Sequence, residues 1–122
     1  MNINLQSTAD GSPTLYLPDL DEHYHSVKGA LAESLHVYVD CGWRYRASSL
    51  SEPRPLRVFE VGFGTGLNAA LTAQAALAEA IPTQYFSIEL HPLNAPLTRQ
   101  LLDSQPARLR PHFRAVNSAP WG

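Results

Sequence analysis

The stretch Val58-Phe59-Glu60-Val61-Gly62-Phe63-Gly64-Thr65-Gly66-Leu67-Asn68 decides the fold of this chain. An apolar run reaches an acidic residue, three glycines follow at alternate positions, and an alanine-rich helical pattern begins directly afterwards. Such a segment turns a buried strand into a helix and leaves room for a ligand against the backbone, because glycine tolerates positive φ and carries no Cβ. The helix also presents its unpaired N–H groups at the same turn. Spacing then separates the candidate ligands. A dinucleotide fingerprint, G-x-G-x-x-G, would need glycine where Leu67 stands. A phosphate-binding P-loop ends in Gly-Lys-Ser/Thr, and the one lysine of the chain is Lys28. Glu60 would repel a phosphate and suits an ammonium or hydroxyl group. The plain alternative is a glycine-rich strand-to-helix turn that holds nothing.

Around this stretch the chain reads as one small α/β unit. At 122 residues it is a single domain at most, and its net charge of −2 gives no basic field for nucleic acid. Arg99, Arg108, Arg110 and Arg114 form a local basic cluster, a pattern that is usually a solvated face. A single cysteine, Cys41, excludes an internal disulfide and fits a reducing compartment. No signal-peptide pattern and no run of eighteen apolar residues is present, so the protein is expected to be cytoplasmic, with no membrane partner.

Residues 1–22 read as an arm or short hairpin in which Leu15-Tyr16-Leu17 is strand-like. A short helix is expected to start near Lys28 or Gly29, and Leu35–Val39 has strand composition. Ser48 to Pro55 reads as a linker. The central unit is a strand Leu56–Val61, the glycine turn, a helix Leu67–Ala80 and a strand Gln84–Leu90. Asn94 and Pro96 then open a second helix running to Leu102. Pro106 and Pro111 read as breakers, and Ala115–Gly122 shows no clear element. Glu89 closes the second strand, where ligands of open α/β sheets sit, and a carboxylate there accepts two ribose hydroxyls well. Glu60 and Glu89 would bracket a small ligand. His23, His25, His36 and Cys41 lack the regular spacing of a zinc site, so no metal is expected. Trp43, Tyr45 and Trp121 suit either stacking on a nucleobase or a buried core.

The E-x-G-x-G-x-G pattern resembles motif I of the class I S-adenosylmethionine-dependent methyltransferases. Three blocks, the glycine turn among them, sharpen that likeness. Gly11-Ser12-Pro13, Asp21-Glu22-His23-Tyr24-His25-Ser26, Gly29, Glu33-Ser34 and His36-Val37-Tyr38 resemble the N-terminal signature of the MnmD/MnmC methyltransferase family. Gly62 through Asn68 matches that family's G-F-G-T-G-L-N in full, and Ser87-Ile88-Glu89-Leu90-His91-Pro92-Leu93 matches its S-x-E-x-x-P-L. The resemblance implies a Rossmann-like class I fold and methylation of the aminomethyl nitrogen of 5-aminomethyl-2-thiouridine at the tRNA wobble position, with S-adenosylmethionine as donor. It implies cofactor contacts at Glu60, Gly62, Phe63, Gly64, Thr65, Gly66, Asn68 and Glu89. Tyr24, Ser26 and Glu33 fall on the substrate side, or act as a clamp holding the arm to the domain.

On this reading residues 1–55 are an N-terminal arm and substrate-side segment, and 56–122 a partial cofactor-binding domain. The family's later strands, and the segment expected to carry the catalytic acid, have no counterpart before Gly122. The chain is therefore expected to be the N-terminal half of the enzyme, an arm plus a β-α-β-α unit, with its catalytic residue unassigned. It would bind the donor weakly and self-associate through the apolar edge of Leu56–Val61. The competing readings are a non-catalytic cofactor-binding or interaction module, and a Rossmann-like domain for another adenosine ligand.

Overall fold

The computed structural model describes residues 2–25, 28–50 and 54–121. Its first elements are three antiparallel strands: β1 Asn4–Ser7, β2 Pro13–Leu17 and β3 Glu22–His23, in the order β1-β2-β3. Only β2 carries the apolar signal expected of a strand, with Leu15 fully buried. β1 is exposed along its whole length, so no alternation betrays it, and its place follows from pairing Leu5 with Leu15 and Gln6 with Thr14. The expected hairpin is thus a three-stranded meander.

The β1–β2 turn has a second task. It faces the start of helix α1, Ala30–Ser34, whose first N–H groups lack partners within the helix. Ala30 N–H donates to Thr8 Oγ1 at 3.1 Å, Leu31 N–H to Ser12 Oγ at 2.9 Å and Ala32 N–H to Asp10 Oδ2 at 3.0 Å. Gly29 is needed here because a Cβ would lie 2.9 Å from Asp10 Oδ2. Partial burial alone would raise the Asp10 pKa. Hydrogen bonds from the Ser12 hydroxyl and N–H, the Thr8 hydroxyl and the Ala32 N–H outweigh it and bring the pKa down to about 2. Asp10 therefore contributes stability that is complete above its ordinary pKa near 3.8 and disappears as pH falls through about 2. Asp10→Ala is expected to lower the unfolding free energy by about 1–2 kcal/mol at pH 7, the usual cost of a lost cap. Urea titrations at pH 7 and pH 2 should show that gap narrowing in acid; equal gaps would assign the carboxylate no such role.

The helix continues past Ser34 as a π-helix, Leu35–Arg44, and ends as α2, Tyr45–Ser49. The strand expected over Leu35–Val39 is therefore incorrect. Val37 and Val39 mimic strand composition, but the buried side chains are Val39 and Trp43, four residues apart on one helical face, while Val37 and Tyr38 are exposed. Trp43 Nε1–H donates to Thr83 Oγ1 at 3.0 Å, and Arg44 pairs with Asp40 and with Glu79. Of the expected linker, Ser48 and Ser49 belong to α2, and residues 51–53 lie outside the described ones.

The central unit follows the sequence closely. Strand β4 is Leu56–Val61, helix α3 is Leu67–Ala78 and strand β5 is Thr83–Ile88. β4 and β5 pair in parallel from Leu56–Thr83 to Val61–Ile88, so both finish at the same level. That arrangement needs a crossover, which α3 supplies. Beyond it come α4, Ala95–Ser104, and α5, Arg110–Asn117. Asn94 caps α4 as expected, its side chain accepting from Leu97 N–H at 2.9 Å. Two expectations are corrected: Pro111 is no breaker but occupies the first turn of α5, where its missing N–H costs nothing, and that helix runs past Ala115 to Asn117. Leu109 and Phe113 then anchor α5 in the core with Leu67, Leu71 and Leu101. Arg110 donates to the carbonyls of Gln105 and Asp103, so one member of the basic cluster closes the end of α4.

The result is a mixed α/β fold. One face of the β4–β5 pair carries Leu56, Val58, Glu60, Thr83, Tyr85 and Ser87 and is at least partly covered. The other carries Phe59, Val61, Phe86 and Ile88, which are 67, 76, 55 and 52 % exposed. Among the described residues both strands also have one unpaired edge.

Candidate functional site

The C-terminal ends of β4 and β5 lie side by side, and the glycine turn leaves from between them. Gly62 N–H and Phe63 N–H both donate to Ile88 O, at 2.8 and 3.2 Å. Gly64 N–H donates to Glu89 Oε1 at 2.7 Å, while Glu89 Oε2 accepts His91 N–H at 3.1 Å. A charged acceptor holding a backbone N–H makes a strong bond. The loop is therefore stitched to the end of β5 by main chain and by a carboxylate.

Two glycines show different uses. Gly66, φ +87°, sits against Phe63 and Asn117, so that a Cβ would lie 2.7 Å from Phe63 Cζ and 2.8 Å from Asn117 Nδ2. Gly62, φ +90°, has nothing within 4 Å of where its Cβ would be. The first glycine of the turn faces open space and the last is a packing requirement.

Glu60 lies beside this open region and is held by its neighbours. Its Oε1 accepts the Ser87 hydroxyl at 2.8 Å, and its Oε2 accepts Asn68 Nδ2 at 3.2 Å. The Tyr85 hydroxyl is pushed to a much higher pKa by burial first and then by the Glu60 charge. Glu60 thus ties β4 to β5 and to the first turn of α3. Asn68 Oδ1 is buried with no partner among the described residues. Thr65 is buried, and its hydroxyl accepts Leu67 N–H at 3.3 Å at the start of α3. Phe63 meets Trp121 edge-on, ring centroids 5.4 Å apart. A cavity of about 470 Å³ adjoins this cluster, with Tyr38, Trp43, Glu60, Gly62, Asn68 and Tyr85 in its wall. A larger one of about 1010 Å³ runs along β5 and α3 and takes in Phe63 and Trp121 but neither Glu60 nor Gly62, so the smaller cavity is the one beside Glu60 and the first glycine of the turn.

Of the residues placed on the substrate side, Tyr24 reaches the turn. Its ring carbon Cδ2 lies 3.3 Å from where a Gly64 Cβ would stand. Its hydroxyl pKa is raised by partial burial and by the negative charge of Glu89. β2 sets this position, since Tyr24 N–H donates to Leu15 O at 2.9 Å. Glu33 is exposed on α1 and meets His25 electrostatically rather than the turn. Burial depresses the His25 pKa, Glu33 opposes that shift, and His25 Nδ1 is a buried atom without a partner among the described residues. Ser26 lies outside the described residues.

The other histidines are dispersed. His23 stacks on Tyr16, with centroids 4.6 Å apart, and its Nε2 lies 3.0 Å from Gln6 Oε1. Cys41 Sγ is 3.8 Å from His36 Nε2, and the described residues contain no group of three candidate ligands. Trp43 belongs to the core; Tyr45 and Trp121 are largely exposed. Tyr85 and Asn117 complete the surroundings of the turn without having been singled out in the sequence, and Ser87, quoted there only as the first residue of the S-x-E-x-x-P-L block, joins them. Ser87 had a signal, since a strand partner of Glu60 two residues before Glu89 shares its face. No helix among the described residues is long and apolar enough to cross a membrane.

Comparison with known proteins gives one consistent result. No protein-family profile matches the chain. Over 88 residues, 70 % of the chain, it is 39 % identical to the tRNA 5-methylaminomethyl-2-thiouridine biosynthesis bifunctional protein MnmC of Cupriavidus necator. It is 33 % identical over 121 residues, 95 % of the chain, to the protein of the same name from Magnetococcus marinus. The crystal structure of MNMC2 from Aquifex aeolicus superposes with a TM-score of 0.73 at 25 % identity, covering 94 % of this chain. The chain spans 13 % and 17 % of the two relatives and 36 % of the solved chain.

Proposed function

The chain belongs to the MnmC family, and from that premise we propose that it forms the donor-binding part of a Rossmann-like class I methyltransferase acting on the tRNA wobble base 5-aminomethyl-2-thiouridine. The observation that carries this reading is the glycine turn: Glu89 holds Gly64 N–H, Tyr24 lies over Gly64, and Gly62 faces open space beside Glu60. This set fits S-adenosylmethionine better than a phosphate ligand, because carboxylates flank the turn where a phosphate would need cations.

When bound, the sulfonium supplies a methyl group already activated for transfer to a neutral amine. Gly62 would offer it close backbone approach, and Phe63, Gly64, Thr65 and Gly66 would form the rest of the turn against which it rests. Glu89, with lone pairs beyond those given to Gly64 and His91, would accept ribose hydroxyls. Glu60 and Asn68 would face the amino-acid end, the unpartnered Asn68 Oδ1 being an acceptor there. Tyr24 would close the site above the turn. Ser26 and Glu33 complete the proposed substrate side. In this functional division residues 1–55 serve the substrate and 56–122 the donor; no residue of the chain is assigned as the catalytic acid or base. A cytoplasmic location fits such a reaction.

A second reading, a donor-binding module without transfer activity of its own, is favoured by the exposed apolar face at Phe59 and Phe86 and by the unpaired strand edges. Thermal melts and a transfer assay separate the readings. S-adenosylhomocysteine at saturation is expected to raise the melting temperature by several degrees, whereas NAD and ATP leave it unchanged. Labelled methyl transfer to tRNA lacking the modification would support the enzyme, and a melting shift without transfer the module. A shift with NAD or ATP alone would overturn both.

A further inference from the structure

We propose that Asn117, at the end of α5, is a positioning residue that sets the shape of the glycine turn, so that α5 acts as a brace for the donor site. The role in binding rests on the proposed function; the role in shaping the turn does not. Three observations meet at this side chain. Asn117 Nδ2 donates to Thr65 O at 3.2 Å, across 52 positions of sequence. It donates also to Phe113 O at 3.0 Å, within its own helix. And it occupies the space, 2.8 Å away, that any side chain on Gly66 would need.

The turn gives these contacts their weight. Gly64 is tethered through Glu89, and Gly62 and Phe63 through Ile88 O. Gly66 N–H donates only locally, to Phe63 O at 3.0 Å. Among the described residues Asn117 supplies the long-range hydrogen bond to the second half of the loop, donating to the Thr65 carbonyl. The brace is itself rigid: Leu109 and Phe113 are buried at 2 % and 0 % exposure and dock α5 on α3. Trp121, just beyond, meets the Phe63 ring that also fills the space at Gly66. A loop whose backbone must meet a ligand closely binds best when its shape exists before the ligand arrives. Asn117 supplies that order from outside the pocket, since it is not among the residues lining the cavity beside Glu60.

The isosteric change Asn117→Asp keeps the volume and removes the donor, placing a carboxylate against the Thr65 carbonyl. Asn117→Ala removes both, and Val116→Ala, one residue earlier on the same helix, controls for general loosening of α5. Amide hydrogen exchange is measured in all of them, together with S-adenosylhomocysteine titrations. Asn117→Asp and Asn117→Ala are expected to speed exchange at Gly66 and Leu67 at least tenfold while α4 is unchanged, and to weaken binding roughly fivefold or more. Val116→Ala should lower the melting temperature with neither effect. Unchanged exchange at the turn in both Asn117 variants overturns the proposal, as does equal acceleration by Val116→Ala. Wild-type protein that fails to bind, with exchange at the turn still accelerated in the Asn117 variants, overturns the donor reading instead and leaves the brace standing.

Discussion

Gly66→Ala is expected to destabilise the fold by about 2–4 kcal/mol, whereas Gly62→Ala should cost only about 1–2 kcal/mol. Both glycines have positive φ, near +90°, so both substitutions carry the penalty of a left-handed backbone. The surroundings make the difference. At Gly66 the new methyl would overlap Phe63 Cζ and Asn117 Nδ2, and the aromatic ring is itself packed on Trp121. Relief would require the Phe63–Trp121 pair and the end of α5 to shift together. At Gly62 the methyl would project into open space. Urea unfolding of the two variants reads the difference directly, and equal losses would show that the packing at Gly66 does not hold the turn.

The second large effect concerns association. A solution of the 122-residue polypeptide alone is expected to contain oligomers at tens of micromolar. Phe59 and Phe86 are neighbours across the β4–β5 pair, flanked by Val61 and Ile88, and all four side chains are more than half exposed. Parallel strands normally have both faces covered, and an apolar patch next to an unpaired strand edge pairs readily with another copy. In such a solution a second copy of the chain is the occupant at hand. Phe59→Lys combined with Phe86→Glu places opposite charges at one cross-strand pair and removes the two largest rings from the face. Sedimentation velocity should show the wild type concentration-dependent and the double variant monomeric, with an unchanged circular dichroism spectrum. A monodisperse wild-type monomer at 100 µM, roughly the upper end of ordinary working concentrations, would contradict the expectation.

The parts of the molecule that sequence reading recovers are those specified locally. β4 has its predicted bounds because an apolar run meets glycine at Gly62, and α4 starts where Asn94 and Pro96 place it. The parallel partner β5 is displaced by a residue or two, the ordinary uncertainty of an element's end. What escapes notice is decided by distant contacts. Val37 and Val39 look strand-like until Val39 and Trp43 are seen to face the core together from a helix. Pro111 looks like a breaker until Leu109 and Phe113 show that it opens one. β1 has no apolar pattern of its own.

The site follows the same division. The glycine turn, Glu60 and Glu89 are readable as a motif, and the N-terminal blocks mark Tyr24, but its approach to Gly64 is visible only in the folded chain. The hydrogen bonds that hold the motif cross strands, from Ser87 to Glu60, or span 52 positions of sequence, from Asn117 to Thr65. Thr8, Asp10 and Ser12 belong to this second kind. Their hydroxyl and carboxylate oxygens look like turn chemistry, and their partners are the N–H groups of α1.

Calorimetric titration of S-adenosylhomocysteine into the wild-type chain and into Gly62→Ala tests the central claim most directly. The wild type should give saturable one-to-one binding in the micromolar range. Gly62→Ala, folded but with a methyl group in the open space at the end of β4, should bind at least tenfold more weakly. No saturable heat from the wild type, or the same affinity in both proteins, would contradict the assignment of the glycine turn as the donor site.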